Sequence, residues 1–111
     1  MIKEEFGKII EVLENTDINN YEAYEELWNK EIALFSSNLE ETVSFIENEI
    51  SADQLSWFCE ILESLVEKTK SERIISSVEN AVKKYPEEEK KYNLQGTIRS
   101  AKILIENKSL L

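Results

Sequence analysis

Ser51-Ala52-Asp53-Gln54-Leu55-Ser56-Trp57-Phe58-Cys59-Glu60-Ile61-Leu62-Glu63-Ser64-Leu65-Val66 is the stretch on which the fold turns. Ser51 and Gln54 have the spacing of a capping box, in which each side chain satisfies a backbone N–H that the first helical turn leaves open. Beyond the box, Leu55, Phe58, Cys59, Leu62, Leu65 and Val66 recur at the offsets of one helix face. Trp57 falls off that stripe and lines up with Asp53, Glu60, Ile61 and Ser64. A tryptophan so placed either packs against a neighbouring hairpin or anchors a partner, since Trp is both highly buried on average and enriched at binding hot spots.

The helical period extends outward in both directions. Towards the N-terminus, Asn38 and Glu41 repeat the box spacing and open a helix whose face is Leu39, Val43, Ile46 and Ile50. Before it, Tyr21, Tyr24, Leu27, Trp28, Ile32 and Phe35 form a broad aromatic stripe, with Asn19 or Asn20 as N-cap. The polar run Asn15–Asn20 separates this helix from a first one that carries Ile2, Phe6, Ile9, Ile10 and Leu13. Towards the C-terminus, Thr69-Lys70-Ser71-Glu72 starts a helix with Ile74, Ile75, Val78 and Val82, which stops at Tyr85-Pro86. Pro86 suits a first helical position, and Glu87, Glu88 and Glu89 complement the positive end of a last helix. That helix bears Leu94, Ile98, Ala101 and Ile105, is weakened locally at Gly96, and frays over Lys108–Leu111.

The expected fold is therefore all-α, a single helical domain over residues 1–111 with five to six antiparallel helices. Two arrangements fit: a short α-α stack of HEAT or TPR type, which the even spacing of helix starts favours, or a compact orthogonal bundle. Composition agrees. The chain has 111 residues, 41% of them hydrophobic, with two glycines and one proline, too few for the tight turns of a β domain. One cysteine permits no internal disulfide, the first residues lack the apolar core of a signal peptide, and no run is long and apolar enough to span a bilayer. These features suit a cytoplasmic protein.

Little in the sequence speaks for catalysis. With no histidine, Ser-His-Asp and Cys-His nucleophile systems and Cys/His zinc sites are excluded. Gly7 and Gly96 stand alone, so neither a P-loop nor a dinucleotide fingerprint is present. Cys59 lies on an apolar stripe next to Glu60, which suits a buried small hydrophobe better than a reactive thiol. The abundant carboxylates fall on solvent faces, where glutamate is generic, rather than in a cleft that would hold a metal or a catalytic pair. No enzyme activity, cofactor or metal is expected.

Charge is the informative feature. The formal net charge is -10, which makes bare nucleic acid and anionic membranes poor partners. It is also unevenly placed. Residues 21–50 hold eight acids and one base, whereas residues 71–111 hold six acids and eight bases. Helix propensity and solubility account for many glutamates, but neither requires one-sided placement. Glu22, Glu25, Glu26, Glu40, Glu47, Asp53 and Glu60 would form an acidic face that docks on a basic protein, with Trp57 as its anchor.

The runs Tyr24-Glu25-Glu26-Leu27-Trp28, Glu41–Glu49, Leu55-Ser56-Trp57-Phe58-Cys59-Glu60-Ile61-Leu62, Glu67–Ser71 and Lys84-Tyr85-Pro86-Glu87 carry a resemblance. In helix texture and length, over residues 20–105, the chain resembles the small, all-helical, acidic immunity proteins of bacterial toxin–immunity systems such as contact-dependent growth inhibition. The resemblance implies a cytoplasmic antitoxin that binds a cognate toxin domain, often a nuclease, and blocks its active site or substrate surface. It transfers no residue, because that family has no shared catalytic motif. The alternative is a HEAT- or TPR-like adaptor for a host protein or peptide. The oligomeric state is left open.

Overall fold

The structure, a computed structural model, describes residues 2–109, with side chains through residue 106. The described residues are all-helical and form seven helices: α1 (Ile2–Glu14), α2 (Tyr21–Ser36), α3 (Leu39–Asn48), α4 (Ala52–Thr69), α5 (Glu72–Lys84), α6 (Pro86–Tyr92) and α7 (Leu94–Ser109). Local chemistry sets most of the starts. Asn20, Asn38, Ser51 and Ser71 each accept a hydrogen bond from the backbone N–H three residues on, and Ser51–Gln54 forms the full reciprocal box. Pro86 occupies the first turn of α6, where a missing N–H costs nothing.

Seven helices replace the expected five to six because the last segment is broken. Asn93 adopts a left-handed conformation, φ 50°, and ends α6. Asparagine tolerates that region better than other residues with a β-carbon. The Gln95 backbone N–H then donates to Glu89 Oε2 at 2.8 Å, which closes the corner into α7. Gly96 does not mark the break. It sits where a β-carbon would come within 2.6 Å of the Asn93 side-chain nitrogen. The expected fraying at Lys108–Leu111 falls partly outside the described residues: α7 continues through Ser109, and Leu110 and Leu111 are not among them.

The core is built outward from α4. All four phenylalanines of the chain, one each from α1, α2, α3 and α4, meet at its first half. Phe35 lies 4.9 Å from both Phe6 and Phe58 in edge-to-face geometry, and 6.1 Å from Phe45. The second half of α4 offers Leu62, Leu65 and Val66 to the same buried cluster, which Ile74 and Val78 of α5 and Leu94, Ile98 and Ala101 of α7 complete. α3 and α4 thus lie in the middle, with α1 and α2 on one side and α5, α6 and α7 on the other. Among the described residues the two outer groups make no extensive contact with each other. The compact globule that results measures 40 × 30 × 27 Å. No described helix is long and apolar enough to cross a membrane.

Candidate binding face over the central helix

Two clefts meet at one wall on α4. The first, of about 330 Å3, lies between the end of α1 and the α6–α7 corner. Asp53, Ser56, Trp57, Cys59 and Glu60 of α4 line it, with Glu14 from α1 and Tyr92, Leu94 and Thr97 opposite. The second, of about 340 Å3, is bounded by Ile18, Tyr21, Tyr24 and Trp28, again with Trp57 and Glu60. Helical spacing explains the sharing: Trp57 and Glu60 are three apart, so they stand one above the other on the face that α4 does not give to its core. Trp57 is half-buried and packs against the edge of the core while still lining both clefts.

The second cleft is an aromatic ledge. Tyr21 and Tyr24 lie edge-on to Trp28 at 6.3 and 5.6 Å. Tyr24 Oη donates to the Leu13 carbonyl at 3.3 Å, which holds the α1–α2 loop. That loop leaves Ile18 82% exposed, and Tyr21 is 66% exposed. Large apolar side chains left in water next to one another mark an interaction surface more often than chance placement does.

Between ledge and core lies Glu31 of α2. It is fully buried, and neither carboxylate oxygen has a hydrogen-bond partner. Burial, with the charge of Glu60 added, pushes its carboxyl up to about 8, so at neutral pH it is mainly protonated. Burial also raises the Glu60 carboxyl, while the Trp28 indole pulls it back. Trp28 Nε1 meets no acceptor at hydrogen-bonding geometry, so it acts on Glu60 as a nearby dipole rather than through a formed bond. Cys59, buried beneath the first cleft, has its thiol pushed up to about 12 by burial and by Glu89. It is inert as a nucleophile at neutral pH.

The structure sorts the residues expected to form an acidic face. Asp53, Trp57 and Glu60 come together in the first cleft. Glu25 lies one turn from Tyr21 and Trp28 on α2, beside the ledge, whereas Glu22 and Glu26 turn outward, and Glu26 approaches Lys30 at 4.0 Å. Glu40 and Glu47 are elsewhere, on the side of α3 that faces α5. Arg73 holds Glu40 through a bidentate pair and keeps its carboxyl below the usual range. Glu47 accepts from Ser77 Oγ at 3.2 Å, and its backbone carbonyl accepts from Lys84 Nζ at 2.7 Å. Arg73 of the C-terminal part therefore answers Glu40 from within the chain and lies near enough to Glu47 to sense its charge.

Glu14, Tyr92, Ile18 and Glu31 were not legible as site residues. For Glu31 a signal did exist: it stands four residues after Leu27 and four before Phe35, in the middle of the aromatic stripe. Among the described residues no group of Cys, Asp and Glu is arranged to hold a metal ion. Comparison with protein-family models, with curated proteins and with solved structures gives no match.

Proposed function

We propose that this chain is a binding protein that takes a basic protein partner on the α4 face, and that the partner is a toxin domain, most simply a nuclease, which it neutralises by covering it. The observation that carries this reading is the charge of the two clefts. Glu14, Asp53 and Glu60 line them, and among the described residues no lysine or arginine does. By contrast, the cleft beside Lys3 and the one beside Lys8 each carry their own cation, as does the cleft between α5 and α7 with Lys102. An uncompensated acidic surface next to exposed aromatics favours a cationic protein over nucleic acid or an anionic membrane. Such an inhibitor works in the cytoplasm and needs no cofactor.

A second reading draws on the helix contacts. α1 packs on α2 and α5 on α7, and α3 and α4 each meet both of these outer groups, an arrangement that leaves a lined groove along α4. A helical domain with a lined groove also serves as an adaptor for a host peptide. Co-expression with the reading frame upstream of the gene separates the two. Immunity predicts that the neighbour arrests growth and that this protein alone restores it. A harmless neighbour, or arrest that this protein does not relieve, contradicts immunity.

A further inference from the structure

We propose that the α4 face is built around one arginine or lysine side chain of the partner, laid against Trp57 with its charge among Glu60, Asp53 and Glu14, while an apolar residue beside that cation covers Ile18 and Tyr21. The proposal deepens the binding reading above and rests on it. Size comes first: a cleft of about 330 Å3 stands at the small end of ligand sites, which suits a single long side chain. Its walls are an indole and a phenol with three carboxylates between them, and a cation over an aromatic face gains most where water is thinned out.

The partition matters as much as the charge. Trp57 and Glu60 form the wall that both clefts share, so a cation on one side and an apolar group on the other would be gripped by the same two residues. Glu31 lines neither cleft; it is fully buried, no described lysine or arginine bonds it, and at neutral pH it is mainly protonated. The charge at the shared wall is therefore that of Glu60, which a partner cation would offset, a role that no described residue fills.

The chain's two tryptophans, Trp28 and Trp57, both flank the site, so their indole N–H signals in a 1H–15N NMR titration report on it directly. The probes are the peptides acetyl-Leu-Arg-Leu-amide, acetyl-Leu-Gln-Leu-amide and acetyl-Gly-Arg-Gly-amide, with the intact protein. The arginine–leucine peptide should move both indole signals. The glutamine peptide should bind about tenfold more weakly, and the glycine-flanked one should move Trp57 but spare Trp28. Glu60→Gln should weaken the arginine–leucine peptide about tenfold, and Glu47→Gln should leave it unchanged, with unfolding midpoints confirming that both variants fold. Equal response to the arginine and glutamine peptides, full binding by Glu60→Gln, shifts confined to α3 and α5, or no response at all would overturn the assignment. The two readings fail separately. If the upstream-encoded partner binds Glu60→Gln as tightly as the parent protein, the cleft assignment falls while the binding function stands.

Discussion

Glu31 exacts a cost at neutral pH that its neighbours do not relieve. Its carboxyl holds a proton up to about pH 8 in the folded protein, against an ordinary value of 4.5. Between those values the native state binds more protons than the unfolded chain, so stability falls as pH rises from about 5 to about 8 and is flat above that. The slope approaches about 1.4 kcal/mol per pH unit. Urea unfolding at closely spaced pH values should show this fall, and Glu31→Gln should remove it and leave the variant the more stable protein at pH 8. At the other buried titrating group, Cys59, alkylation by iodoacetamide at pH 8 should run far slower than for a free thiol, because burial keeps the thiolate scarce. The apolar placement of Cys59 was plain from its stripe. That of Glu31 was not, because a carboxylate inside an aromatic stripe reads as solvated until the neighbouring helix is known to close over it.

At the scale of elements, boundaries set by local hydrogen bonds were legible and those set by a single backbone angle were not. Ser51, Ser71, Asn38 and Asn20 announce their helices because the capping bond lies within three residues of the cap. Ser51→Ala should cost about 1 kcal/mol in denaturant unfolding, since α4 touches most of the core. The turn at Asn93 depends on a left-handed residue and on Glu89 reaching the Gln95 N–H, a bond that no periodicity reveals. Asn93→Gly should fold normally, whereas Asn93→Val should lose about 1–2 kcal/mol, because a branched β-carbon is strained at positive φ. That corner matters for the site, because it places Tyr92 and Leu94 on the rim of the first cleft. The sequence placed Asp53, Trp57 and Glu60 on one face of one helix. What stands opposite them comes from α1, α6 and α7, at chain separations where only tertiary packing decides.

For the molecule as a whole, burying one phenylalanine from each of α1–α4 locks the acidic half together. Phe35→Ala should cost about 3–5 kcal/mol, because Phe35 touches the other three rings and leaves a cavity that cannot collapse. The charge asymmetry along the chain becomes, in three dimensions, something narrower than an acidic half. Arg73 answers Glu40 and Lys102 pairs with Glu79 at 3.2 Å, while among the described residues no lysine or arginine lines the clefts of the α4 face. The decisive measurement is the association rate constant with the partner proposed above, once co-expression has identified it, followed by stopped-flow tryptophan fluorescence from about 0.05 to about 0.5 M salt. The account predicts a rate that falls about tenfold or more over that range, with most of the fall abolished by Asp53→Asn plus Glu60→Gln and little of it by Glu40→Gln plus Glu47→Gln. A rate indifferent to salt, or one whose salt dependence follows the α3 pair instead, would contradict it.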